Sequence, residues 1–530
     1  MAYHTAIYLF IFLPAVLLAY QITPRKFRGY TLLAAGYSFF WIISRNLLIY
    51  LLGTTLFTHY IGVWLGQVKA AQREALAECG EKAKKKEIKG AYKKKERRIL
   101  TFGILTLLGV LAYVKYYQFF FQNVNGLLEA LGTGRAIEIK RILVPIGISF
   151  YTLQAIGYMV DVYWDKISAQ QPLKKVALFL AFFPQIMEGP IALYDQTAHQ
   201  LWEGEALTGK NLSEGCLRIL WGLFKKMLIA DRLFLLVKMI FDNYQQYHGV
   251  MIAVGAVAYT IQLYMEFSGS MDIIIGTGRM FGVVLPENFR QPFAAKNAAE
   301  FWRRWHITLG VWLKTYVFYP ASVSGIVKKW NRFGKKNCGK YITRLGVSAM
   351  ALFPVWLCNG LWHGPRWSYI FYGMYYFGIL LVGEALEPVR NQVLKKLHLD
   401  ENALYWRIPQ MLKTWLIIFT GELFFRANGL KAGIHMFLSL FRDFQLRPLY
   451  DGTLLNFGLD KADYGVILIG CAVVGIVGFI QENQLLEKES ITTFRLPVRW
   501  AVYYALILAV VIFGAYGIGY QQVDLIYAGF

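Results

Sequence analysis

The chain has 530 residues, 56% of them hydrophobic and 17% charged, with 56 Lys and Arg against 33 Asp and Glu for a net charge of +23. A soluble globule carries about 25% charged residues; here the charges cluster between long uncharged runs, which excludes that class. No soluble basic domain is present to bind nucleic acid, so the excess charge is assigned to cytoplasmic loops and anionic lipid headgroups.

A spanning helix needs about 20 apolar residues. Apolar segments run over 5–21, 30–45, 47–66, 99–121, 142–163, 174–194, 212–240, 250–282, 342–362, 367–387, 408–425, 462–481 and 497–519. The expectation is an all-α, polytopic membrane protein of 11–13 membrane helices, some short or re-entrant. The first segment has neither a basic flank nor a clear cleavage site and reads as a membrane helix. From Lys69 to Arg98 there are twelve Lys or Arg and five Glu, which the positive-inside rule places in the cytoplasm. Residues 1–68 are then N-terminal membrane helices, 69–98 a basic cytoplasmic segment, and 99–530 a membrane core. A second basic stretch, Lys328 to Arg344, is expected on the same side, and 426–461 reads as an extramembrane loop. Cys79, Cys216, Cys338, Cys358 and Cys471 lie far apart and suggest neither a metal site nor a disulfide framework.

A charged side chain within an apolar segment costs at least about 2.5–3.5 kcal/mol at a helix centre, so such residues face a cavity or a partner and are functional candidates. Glu188 stands among Pro184, Gly189 and Pro190, at an expected helix break. In YMEFSGSMDIIIGTGRMFG (264–282), Glu266 and Ser270 share one helix face, and Ser268 and Asp272 the next. These acids either orient a histidine or an acceptor hydroxyl, or pair internally with Arg279 or another buried cation. In 286–320, Trp302, Arg303, Arg304, Trp305 and His306 follow one another. As a helix they would put Trp302 and His306 on one face, with the cations keeping the imidazole neutral. In CNGLWHGPRWSYIFYG (358–373) an apolar helix should end near Asn359 and Gly360, leaving His363 in a Gly-Pro break. Neutral imidazole can accept a proton at neutral pH. Either histidine could equally brace its surroundings. Two histidines are too few for a zinc site.

FWRRWHITLGVWLKTYVFYP (301–320), followed 57 residues after His306 by His363 in NGLWHGPRWSYIFYG (359–373), resembles the membrane-bound O-acyltransferase family. The likeness is strongest to its bacterial branch, which includes the alginate O-acetylation membrane protein and the D-alanyl transfer protein of teichoic acids. VPIGISFYTLQAIGYMVDVY (144–163), FFPQIMEGPI (182–191), EFSGSMDIIIGTGRMFGVVLPENF (266–289), FFRA (424–427) and DLIYAGF (524–530) extend it in order over about 140–530. Departures from the family pattern are Lys314-Thr315, Pro320-Ala321-Ser322, Glu188 and Glu266. The resemblance implies tilted helices around a central tunnel, with His363 and His306 as catalytic positions. Asn359, Trp362, Trp302, Arg303, Arg304, Trp305, Glu266, Ser268, Asp272, Gln154 and Glu188 are then substrate-binding or supporting residues.

The expected reaction is acyl transfer from a cytoplasmic thioester, acetyl-CoA or an acyl-carrier protein, to a hydroxyl. No bound cofactor or metal is expected. The acceptor is an extracytoplasmic polysaccharide or a separate SGNH-type transferase, and the location is the bacterial plasma membrane. His363 would serve as general base, with His306 or a backbone N–H near Gly364 stabilising the oxyanion. Asn359, Glu266 or Asp272 could fix the imidazole. D-alanyl transfer to teichoic acid and a transporter without acyl chemistry are the alternatives.

Overall fold

The computed structural model describes residues 1–401, 403–484 and 494–516. Its motif at 524–530 lies outside the described residues. Among those residues the secondary structure is helical, with one isolated antiparallel bridge, Phe289 to Trp305. Seven stretches are long and apolar enough to cross a membrane: Arg25–Glu78, Lys82–Ala130, Val250–Met280, Gly339–His363, Trp367–Lys396, Lys461–Glu482 and Leu496–Phe513. Of the other expected spans, 408–425 falls in the continuous helix Leu404–Arg426, and 212–240 in helix that runs on through a π-helical turn at Phe224–Ala230. Segment 174–194 is helical only to Ala181.

The first compact unit comprises Met1–Gly215 with Ile274–Pro286. It holds α1 (Leu13–Ile22), α2 (Arg28–Ser44), α3 (Leu48–Glu78), α4 (Lys82–Ala130), α5 (Ile148–Tyr163), α6 (Leu173–Ala181), α7 (Tyr194–Glu203) and the start of α8 (Gly209–Leu223). The basic stretch is helical. Lys, Glu and Ala are strong helix formers, so α3 and α4 form a hairpin interrupted only at residues 79–81. Lys69 is buried there, 2.6 Å from Asp165 and 3.9 Å from Glu96. Most of the other cations in the stretch are exposed.

Residues 182–190 are irregular and fully buried, so their backbone groups need internal partners. Tyr3 donates to the Phe183 carbonyl at 2.8 Å and accepts from the Met187 N–H at 3.3 Å. Gln185 Nε2 donates to the Phe179 carbonyl at 3.1 Å. Gly147 caps α5 at φ +75°, where a Cβ would lie 1.9 Å from the Ile186 carbonyl oxygen; only glycine fits. This is the break expected around Glu188. Gln154 and Glu188 are both buried in this unit.

The second unit comprises Cys216–Ile273 and the described residues from Glu287 onward. It contains most of α8, then α9 (Asp231–Asp242), most of α10 (Val250–Met280), α11 (Ala298–Arg304), α12 (Ile307–Leu313), α13 (Tyr319–Ser322) and α14 (Gly325–Asn337). α15 (Gly339–His363), α16 (Trp367–Lys396), α17 (Leu404–Arg426), α18 (Leu430–Ser439), α19 (Lys461–Glu482) and α20 (Leu496–Phe513) follow. Helix α18 lies in the stretch expected to be a loop, with Gly433 close against the Phe424 ring. On α19, Leu468, Ile469, Ile476 and Phe479 are exposed, as lipid-facing side chains of a spanning helix are.

Candidate active site

The site residues of the second unit fall into three groups. The first surrounds His363. Helix α15 does not end near Asn359, as the sequence suggested, but runs through His363. Gly364 stops it with φ +148°, and Pro365, lacking an N–H, cannot continue it. Close approach of α15 and α16 sets the hairpin: a Cβ on Gly360 would lie 2.5 Å from the Tyr369 carbonyl, and one on Gly373 2.2 Å from that of Trp356. The His363 ring is buried edge-on against Phe425 at 4.9 Å and Tyr372 at 5.8 Å. Asn359, one turn earlier on α15, and Trp362 are buried with it.

The second group holds His306. The expected continuous helix through 302–306 is not formed. α11 stops at Arg304, Trp305 is extended, and His306 adopts φ +46° before α12 begins. The chain turns because 288–290 pairs antiparallel with 304–307: Arg290 N–H donates to the Arg304 carbonyl at 2.9 Å, and Ile307 N–H to that of Asn288 at 3.0 Å. Trp302 and His306 therefore do not share a face. Trp302 meets Trp356 at 5.0 Å and Tyr376 at 4.7 Å, whereas His306 packs edge-on against Phe267 at 4.9 Å. Trp305 stacks on Phe301. Arg303 is exposed, and Arg304 forks onto Glu482 at 2.7 and 2.9 Å and onto Glu300 at 2.7 Å. Burial, rather than these cations, keeps His306 neutral and pushes its pKa down to about 3.

Asn288 decides which tautomer His306 adopts. Its Oδ1 accepts from the Thr308 N–H at 3.1 Å and the Thr308 hydroxyl at 3.0 Å, and lies 3.1 Å from His306 Nδ1. An oxygen there requires Nδ1 to carry the proton, which assigns the lone pair to Nε2. In that tautomer the neutral ring offers an acceptor at Nε2. Asn288→Leu should destabilise the protein by about 1–3 kcal/mol for each buried donor it strands. Thermal unfolding in detergent measures this, and an unchanged midpoint would contradict the assignment.

The third group is an ionic cluster where α8 and the wide π-helical turn Phe224–Ala230 meet α10. Gly222 and Gly269 allow the approach: a Cβ on either would fall within 2.8 Å of the other's carbonyl oxygen. Arg218 pairs with Asp272 at 2.5 Å and Glu287 at 2.7 Å. Lys225 pairs with Asp272 and donates to Ser268 at 3.0 Å. Lys226 lies 2.5 Å from Asp231 and 3.4 Å from Glu266. The acids at 266 and 272 thus engage Lys226, Lys225 and Arg218. Arg279 instead pairs with Glu214, in the first unit.

Sequence reasoning missed Asn288, Lys225, Lys226, Tyr372 and Glu422. Charged residues inside the apolar runs 212–240 and 408–425 were the available signal for the two lysines and Glu422. Among the described residues no three His, Cys, Asp or Glu side chains are grouped to hold a metal ion.

A sequence profile of the membrane-bound O-acyltransferase family matches residues 165–406. The probable alginate O-acetylase of Pseudomonas putida is 31% identical over 492 residues, covering 92% of this chain and 90% of the relative. The peptidoglycan O-acetyltransferase of Helicobacter pylori is 28% identical, covering 82% of this chain and 78% of its own. The teichoic acid D-alanyltransferase of Bacillus subtilis is 28% identical over 44% of this chain and 56% of its own. Identity sustained over nine-tenths of both chains, together with the multi-pass helical architecture, establishes that this protein belongs to the membrane-bound O-acyltransferase family and is an acyl-transferring enzyme.

Proposed function

We propose that the enzyme moves an acetyl group from a cytoplasmic thioester to a hydroxyl of an extracytoplasmic polysaccharide, or to a partner SGNH-type transferase that acetylates one, with His363 as general base. The observation that carries the reading is a buried histidine at a broken helix end, in a family of acyl-transfer enzymes. A hydroxyl is a weak nucleophile and needs a base; a thioester is already activated. In the proposed step, His363 takes the hydroxyl proton as oxygen attacks the carbonyl carbon. The C–S bond then breaks, and the departing thiolate recovers the proton from the imidazolium. Backbone N–H groups near Gly364 are the candidate oxyanion donors, and Asn359 is a candidate support for the ring.

The donor assignment is supported by the relatives. Those named as O-acetyl-transferring enzymes match over 82% to 92% of this chain, the D-alanyltransferase over 44%. A D-alanyl thioester on a carrier protein is therefore the second reading. The exposed cations of the α3–α4 hairpin suit either the phosphates of CoA or an acidic carrier, and fit a cytoplasmic position in a bacterial plasma membrane. Base-released acetate from the surface polymers of cells with and without the gene tests the proposal. Ester-linked acetate should disappear with the gene. Loss of ester-linked D-alanine instead, or no change in either, overturns it.

A further inference from the structure

Helix α17 carries a carboxyl within an apolar run. Glu422 is 0% exposed, and its Oε1 accepts a hydrogen bond from the Tyr372 hydroxyl at 3.0 Å. Its Oε2 has no hydrogen-bond partner among the described residues. No cation pairs with it there either: Arg426, one turn on, lies 4.0 Å from Asp242 and over the Phe241 ring. An ionisable group so placed in a membrane helix is a functional candidate by default. A carboxyl that served only to fasten two helices would have both oxygens satisfied.

Its surroundings lead to His363. The Tyr372 ring that it anchors stands edge-on to the imidazole at 5.8 Å and 86°. Phe425, next turn on α17, closes another side of the imidazole at 4.9 Å. Gly421 brings α17 directly onto Tyr376, since a Cβ there would lie 2.3 Å from that hydroxyl. Tyr372 is thus wedged between Tyr376 at 5.0 Å, Trp302 at 6.2 Å and the histidine. The bond to Glu422 is a polar tether at the far end of the ring that holds its rotation.

We propose that Glu422 is a positioning residue for acyl transfer, acting through the Tyr372 hydroxyl to hold the His363 ring in its reactive orientation. This rests on His363 being the base. Turnover of radiolabelled acetyl-CoA in inside-out membrane vesicles tests both, with folding monitored by gel filtration in detergent. Tyr372→Phe and Glu422→Leu should each lower kcat by about 10–100-fold, the cost of a misaligned catalytic group, with KM for acetyl-CoA unchanged. Glu422→Gln, whose amide oxygen accepts the same bond, should restore kcat. The double variant Tyr372→Phe/Glu422→Leu should be no worse than either single one, because both remove one link. Wild-type kcat in folded Tyr372→Phe, or multiplicative losses in the double variant, overturns the inference. Since Tyr372→Phe removes one oxygen and no ring packing, it remains informative should Glu422→Leu fail to fold. His363→Ala separates the two ideas: if it stays active, the choice of base fails; if it is inactive while Tyr372→Phe is normal, only the positioning role fails.

Discussion

Replacing His363 with glutamine lowers acyl transfer by about 10²–10⁴-fold, the usual contribution of a positioned general base, and leaves folding intact. Glutamine has a polar end of similar reach but no basic nitrogen. The helix break next to it is made by Gly364 and Pro365, not by the imidazole. The folded variant should therefore elute and melt as the wild type does. His363→Ala should lose as much activity but melt lower, because it leaves a cavity against Phe425 and Tyr372. Transfer near the wild-type rate in either variant would remove this histidine from the chemistry.

The second large effect concerns stability. Lys226 has no exposed side-chain surface and sits between Asp231 and Glu266. Lys226→Met should destabilise the protein by about 3–5 kcal/mol, because it leaves buried carboxyls without their cation. Adding Glu266→Gln and Asp231→Asn to the methionine variant should recover part of that loss, since no buried charge is then stranded. Thermal unfolding in detergent follows the series. A methionine variant as stable as the wild type would mean that the cluster is hydrated.

Much of the architecture was legible from residue order. Apolar runs of spanning length locate α10, α15, α16, α19 and α20, and Gly-Pro pairs mark the breaks after Glu188 and His363. What could not be read were pairings between segments distant in sequence. Helical spacing put Trp302 and His306 on one face, yet the bridge from 288–290 to 304–307 ends α11 first. That bridge depends on Asn288, a loop residue whose role appears only when its three partners are seen together. The same holds for Glu266 and Asp272. The sequence offered both an orienting role and an ion pair, and only spatial placement shows lysines 225 and 226 opposite them. The Lys69–Arg98 stretch was legible as a basic segment, and its composition, rich in Lys, Glu and Ala, accounts for the helix it forms.

The wide turn at Phe224–Ala230 has a consequence for helix phase. Consecutive residues of an α-helix point about 100° apart, since 3.6 of them complete a turn. Lys225 and Lys226 are nevertheless both buried, each facing a different acid. A π-helical turn accommodates one residue more than the regular spiral. Deleting a single apolar residue from it would restore regular winding and rotate everything downstream by that angle. Arg232, which pairs with Asp463 on α19, would swing away from its partner toward the hydrocarbon. Length at this point, as much as side-chain identity, determines which way α9 faces.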